Sequence, residues 1–231
     1  MKIATLAIAS LLSLAAWPQV SEAGNAAVDF SPTLNPNGVW RYGWENSLGG
    51  TFSTFTKATT FSGVNAWYGN EPPIGILPGY PIIWRSIAAS EILTAHPGQA
   101  GEYAILRWTS PVTGYADISA LFMQNANNPT TTDVHVLLNG ASLFDGTVAG
   151  TIHSPPYSGS QIFVNAGNSI DFAVGYGSNH SIDYDTTDMK ISVAVTPVPE
   201  ASAAYLFSFG LVMLAFRQRS ISQVRLRKIA A

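Results

Sequence analysis

The chain has 231 residues, no cysteine and a net charge of −3, which excludes a disulfide framework, a thiolate nucleophile and a cysteine-based zinc site. Five of its eleven Lys and Arg residues (Arg217, Arg219, Arg225, Arg227 and Lys228) sit at the C-terminal end. Residues 24–196 hold only five basic side chains against twelve acidic ones. Such a body lacks the electrostatic footprint of a nucleic-acid binder and repels anionic lipid surfaces.

The chain begins with Lys2, an apolar run over 3–17, and Ser21-Glu22-Ala23 ahead of Gly24. A positive start, an apolar stretch and a small-x-small site are the parts of a secretory signal peptide, so residues 1–23 are expected to be removed on export. The body, 24–196, is long enough for one well-cored domain. It is rich in Thr, Ser, Gly, Asn and aromatic residues and poor in Lys, Glu and Arg, a mixture that favours strands and turns over surface helices.

In the N-terminal part of the body, 39–45, 50–56 and 82–86 are strand candidates. Between them, 70–81 contains Pro72, Pro73, Pro78 and Pro81 with Gly75 and Gly79, which excludes regular structure. The best alternation runs over 102–109, where Tyr103, Ile105 and Arg107 point one way and Ala104, Leu106 and Trp108 the other. A turn over 110–114 and a strand over 115–122 read with it as a hairpin. A polar loop then leads to a strand over 133–138, and Asn139-Gly140, the strongest short-range hairpin signal, joins it to 141–144. The segments 161–164 and 169–175 read as another pair, and 189–195 as a closing strand. Eight or more short strands at intervals of about 8 to 12 residues predict an all-β fold, an antiparallel jelly-roll-like β-sandwich.

The last part, 197–231, contains Val198-Pro199-Glu200-Ala201, an apolar run over 203–216 and the basic end. Fourteen residues make a helix of roughly 21 Å, shorter than the ~20 residues of a stable span, and Ser208 and Gly210 weaken it further. This predicts a short transmembrane helix with snorkelling arginines and a transient inner-membrane anchor. Because Lys and Arg beside a span favour the cytoplasmic side, the body is placed outside it.

Motif, span and basic end together resemble the PEP-CTERM sorting signal of Gram-negative bacteria, with Ala201 standing where the family box has its second proline. The same tail also carries the name ice-binding protein C-terminal domain, which is not evidence about ice. The resemblance implies recognition by an exosortase-type membrane peptidase, cleavage near the box, and a mature protein in the periplasm, on the outer surface or in the extracellular matrix. The stretch 102–188 is similar to a domain of secreted PEP-CTERM proteins related to carbohydrate-binding-module sandwiches. The matching pieces include Arg107-Trp108-Thr109-Ser110-Pro111, Thr132-Asp133-Val134-His135-Val136, Asn139-Gly140 and Ile170-Asp171-Phe172-Ala173-Val174-Gly175. These pieces support a fold more than an activity.

Candidate chemistry is sparse. His96, His135, His153 and His180 show no ligand spacing on one element. Asp133 and His135 share a strand face and pair either as a general base or as a cross-strand polar contact; no Gly-x-Ser-x-Gly elbow supplies a serine nucleophile. Glu45, Glu71, Glu91 and Glu102 are the carboxylates a glycosidase would draw on. Asp183, Asp185 and Asp188 offer hard oxygen ligands for a structural calcium, without the glycine and glutamate of an EF-hand loop, or else form a solvated acidic turn. Trp67 and Tyr68, which lead into the proline loop, and Trp84 are the candidates for stacking on a sugar ring. No catalytic residue and no other cofactor are assigned. The expectation is an exported, non-catalytic surface or matrix protein that binds exopolysaccharide; the alternative is a secreted glycosidase or esterase with an unrecognised site.

Overall fold

Side chains that alternate between apolar and polar along a strand can bury one sheet face and leave the other in water. The computed structural model of the protein describes residues 22–61, 63–69, 79–86, 89–125, 128–150 and 153–198, together with Phe209, Gly210, Val212 and Met213 in helical conformation. All of the described strands fall within the compact unit Val20–Pro197. They are β1 (Glu22–Asn25), β2 (Trp40–Glu45), β3 (Ser53–Thr54), β4 (Lys57–Phe61), β5 (Val64–Tyr68), β6 (Ile82–Arg85), β7 (Leu93–His96), β8 (Tyr103–Thr109), β9 (Gly114–Gln124), β10 (Thr130–Leu138), β11 (Ala141–Gly150), β12 (Tyr157–Val164), β13 (Ser169–Val174) and β14 (Thr187–Pro197).

The strands form two antiparallel sheets. One has the order β12-β9-β14-β7-β6-β5-β4, with β1 added beside β14; the other runs β11-β10-β13-β8-β2-β3. Along β9, Ala116, Ile118, Ala120 and Phe122 are buried while Tyr115, Asp117 and Ser119 face solvent. Along β14, Met189, Ile191, Val193 and Val195 point in and Lys190 and Ser192 point out. From the other sheet come Ile170, Phe172 and Val174 of β13, Leu106 and Trp108 of β8, and Trp40 and Tyr42 of β2, which join the same core. Burying each large apolar side chain contributes about 1.5–3 kcal/mol.

Strands β7 to β14 wind between the layers so that β12-β9-β14-β7 covers β11-β10-β13-β8, the winding of an antiparallel jelly roll. The described part of the unit Val20–Pro197 is thus an all-β sandwich. Its eighth-to-ninth connection corrects the expected hairpin of 102–109 with 115–122, because β8 and β9 lie in different sheets. The pair 161–164 with 169–175 is corrected likewise: β12 joins β9, and β13 joins β8 and β10. The physical reason is that both connections are arches across the core edge, and they bond to each other. Ser110 N–H donates to Asn168 O at 2.8 Å, and Gly167 N–H donates to Ser110 O at 2.8 Å. A local apolar alternation cannot tell such an arch from a hairpin.

The Asn139-Gly140 hairpin is present, with φ of 50° and 83° at its two turn residues and Leu138 opposite Ala141, as a tight type I′ turn requires. The expected strand over 50–56 shrinks to β3, and β1, β4, β5 and β7 are additional. Residues 1–21 of the expected signal peptide, the proline-rich 70–78, the motif residues Pro199, Glu200 and Ala201, and most of the expected span lie outside the described residues. Glu22 and Ala23, expected to leave with the signal peptide, pair with Val195 and Ala194 in β14. Among the described residues no helix is long and apolar enough to cross a membrane.

Candidate functional site

The three aromatics expected to stack on sugar do not form one platform. Trp67 and Tyr68 are adjacent in β5, and neighbours in a strand project to opposite faces. Trp67 is 6% exposed within the main core, where its indole N–H donates to Ser31 O at 2.7 Å. Tyr68 is 9% exposed and packs with Ala66, Ile82 and the half-buried Trp84 in a satellite cluster. Trp67 and Tyr68 are buried and offer no open stacking surface, whereas Trp84 is half-buried.

The acidic trio is spread over separate neighbours. Asp183 accepts from the Ser181 hydroxyl at 3.1 Å. Asp185 is buried and accepts from the Thr130 hydroxyl, and burial pushes its carboxyl up. Asp188 accepts from Thr94 Oγ1 at 2.6 Å and from Asn125 Nδ2 at 2.7 Å. Each carboxylate is engaged by different neighbours, and among the described residues no group of three His, Asp or Glu could hold a metal ion.

Two polar constellations occupy the outer face of the six-stranded sheet. In the first, Arg107 Nε and Nη2 donate to the two oxygens of Asp171 at 2.6 and 2.8 Å, and Nη2 also donates to Glu45 Oε1 at 3.2 Å. The guanidinium lies 4.0 Å from the centre of the Phe52 ring, close enough for a cation–π contact. Glu45 and Asp171 are both fully buried. Burial, then the charge of Asp171, pushes Glu45 up to about 7, against the pull of Arg107. Burial also raises Asp171, and Arg107 opposes it. A carboxylate pair sealed from solvent and sharing one guanidinium is a structural cluster rather than a substrate site.

In the second, His135 is held through both ring nitrogens: Nδ1 lies 2.6 Å from Asp145 Oδ1 and Nε2 lies 2.9 Å from Asp133 Oδ2. Asp133 also accepts from the Tyr103 hydroxyl at 2.7 Å and from Gly177 N–H at 2.7 Å. Burial alone would lower His135, but the hydrogen bonds to the two carboxylates outweigh it and raise the imidazole. Both ring nitrogens are thus engaged by carboxylate partners. This arrangement favours the polar-contact reading of the Asp133–His135 pair over the general-base one.

The open feature that sequence reasoning missed is on the outer face of the eight-stranded sheet. A cleft of about 460 Å³ crosses β12, β9, β14 and β1, with Asp117, Ser119, Ser158, Ser160 and Ser192 among its lining residues. Register places Ser158, Ser119 and Ser192 in one cross-strand row and Phe163, Tyr115 and Thr196 in another, with Asp117 opposite Ala194 between them. Tyr115 and Phe163 stay 40% and 49% exposed and meet edge to face, with ring centres 5.6 Å apart. Asp117 Oδ1 accepts from Gln161 N–H at 3.0 Å, which fixes β12 at its irregular register between Gly159 and Ile162. The outward parity of Tyr115, Asp117 and Ser119 in the predicted strand was the available signal. Phe163 on a partner strand becomes visible only once β12 is known to pair with β9.

No family model matches the sequence, and no curated protein matches it. Among solved structures the chain is similar to CBM35 from Cellvibrio japonicus Abf62, at 9% identity and a TM-score of 0.31, covering 49% of this chain and 78% of that one. It is similar to a family 35 carbohydrate binding module from Clostridium thermocellum at 11% identity and a TM-score of 0.31, covering 61% and 97%. A third is the catalytic domain of GH87 alpha-1,3-glucanase in complex with nigerose, at 12% identity and a TM-score of 0.24, with 44% of this chain and 22% of that one covered. Likeness this low carries no argument about ligand or activity, so what this sandwich binds rests on its own residues.

Proposed function

We propose that the protein is an exported, non-catalytic surface or extracellular-matrix protein that holds polysaccharide on the outer face of its eight-stranded sheet. The observation that supports it is the solvent-facing Tyr115–Phe163 pair beside a serine-lined cleft. Exposed aromatic rings offer apolar faces to the C–H faces of sugars, and hydroxyls and carboxylates beside them exchange hydrogen bonds with sugar hydroxyls. Export through the inner membrane of a Gram-negative bacterium and release by an exosortase-type peptidase belong to the same proposal. Their support is the order of motif, apolar run and basic end at 197–231.

Two experiments test this reading. Retention of the purified exported protein on the host's own exopolysaccharide is expected to fall when Tyr115 and Phe163 are replaced by alanine, and unchanged retention contradicts the binding site. Mass spectrometry of the mature C-terminus is expected to end near the Pro199-Glu200 box. An exported protein that still carries Arg227 and Lys228 overturns the sorting part alone.

A further inference from the structure

We infer, resting on that reading of the cleft, that its ligand is an electrically neutral glycan chain of several sugar units lying along β9, and not a polyanionic one. The charges decide the class. Among the described residues no Lys, Arg or His lines the cleft, and Asp117 is part of its lining. The nearest cation on the same face of β14, Lys190, is already bound to Glu91 at 2.7 Å. A uronate or sulfated polymer would meet a carboxylate with no counter-charge, in a body that carries twelve acidic residues against five basic ones over 24–196. A polycationic chain would require more than one carboxylate at the spacing of its charges, and among the described residues the lining offers Asp117 alone.

The length follows from strand geometry. Tyr115 and Ser119 are four residues apart on β9, about 13 Å at the rise of an antiparallel strand, longer than one pyranose ring. The aromatic row and the serine row can therefore be filled together only by a chain. Ser158, Ser119 and Ser192 are held about 4.8 Å apart by the spacing of strands, and each hydroxyl both donates and accepts. Asp117 keeps its Oδ2 for sugar hydroxyls, since its Oδ1 is taken by Gln161 N–H. Ala23, at the cleft rim, precedes the expected cleavage point; the other lining residues follow it.

Affinity gel electrophoresis of the purified exported protein tests this, with gels containing hydroxyethyl cellulose, galactomannan, xylan or mixed-linkage glucan as neutral probes, alginate or hyaluronate as polyanions, and chitosan as a polycation. The expected result is retardation in at least one neutral gel, none in the charged gels, and a loss of about tenfold or more in affinity for the Tyr115→Ala/Phe163→Ala variant and for Ser119→Arg, both still unfolding in a single cooperative transition with a melting temperature lowered by no more than a few degrees. Oligosaccharides of three or more units should compete, and the monosaccharide should not. Retardation by alginate, hyaluronate or chitosan that the double variant abolishes overturns the neutral class and leaves the cleft reading intact. Equal competition by the monosaccharide overturns the chain length. Retardation unchanged in both variants, or absent from every gel, overturns the cleft itself.

Discussion

Arg107 grips Asp171 with two parallel hydrogen bonds, Nε to Oδ1 at 2.6 Å and Nη2 to Oδ2 at 2.8 Å. The two residues sit directly opposite each other on β8 and β13, so the fork is aimed by sheet register before any side chain adjusts. Removing Arg107 would leave two buried carboxylates with no cation. Arg107→Ala is expected to destabilise the sandwich by about 3–5 kcal/mol, read as a shift in the urea midpoint. Arg107→Lys should recover only part of it, because an ammonium cannot make the two-point contact. A cost within the range of an ordinary surface substitution contradicts this role.

Stability should depend on pH with a defined sign. Glu45 titrates near 4.5 when unfolded and near 7 in the fold. The folded state therefore binds the proton more tightly, and its advantage is complete below 4.5 and lost as pH rises from 4.5 to 7, about 3 kcal/mol in all. His135, raised by its two carboxylates, adds stability that is present below its ordinary value near 6.5 and lost as pH rises through its folded value. Asp133 and Asp145 are lowered, so their contribution is present above about 4 and lost toward stronger acid. The melting temperature is expected to peak on the acid side of neutrality and fall toward pH 8, with Glu45→Gln flattening the fall. A profile level from pH 5 to 8 in the wild type rules this out.

The two sets of aromatics should separate stability from binding. Trp67→Ala removes a core side chain and its N–H bond to Ser31 and is expected to cost about 3–5 kcal/mol. Tyr115→Ala removes one member of an exposed cross-strand pair and should cost about 0.2–1 kcal/mol. Chemical denaturation of both variants checks the order, and the reverse order overturns the assignment of Trp67 to the core and Tyr115 to the surface.

Calcium should have little effect on the sandwich. Because Asp183, Asp185 and Asp188 are bound by separate protein neighbours, millimolar calcium or a chelator is expected to move the melting temperature by less than about 1 °C. A ligand held only by the folded state would raise it with concentration. A rise with calcium that Asp185→Asn removes means that the acidic turn does gather a metal.

Much of the fold was legible because β-strands of the second half announce themselves locally. The alternation of Tyr103–Thr109 and the Asn139-Gly140 turn placed β8, β10 and the start of β11 within a few residues, while β11 continues six residues past the expected end, to Gly150. Partners were less legible. An arch at Ser110 and a hairpin at Gly140 both follow an alternating strand, and only the bonds between the arches at Ser110 and Asn168 separate them. Leu93–His96 is buried at every position and shows no alternation to read. The placement of the candidate aromatics was hidden for the same reason. Trp67 and Tyr68 look like a pair in sequence, although a strand sends neighbours to opposite faces. Tyr115 and Phe163 lie far apart in sequence but are brought together by register.

The most direct test of the central claim is to map the glycan contact by hydrogen exchange of the exported protein with and without the host exopolysaccharide. New protection is expected in β9, β12 and the end of β14, centred on Tyr115, Ser119 and Phe163. Protection confined to β5 and β6, or no protection at saturating polysaccharide, contradicts the account.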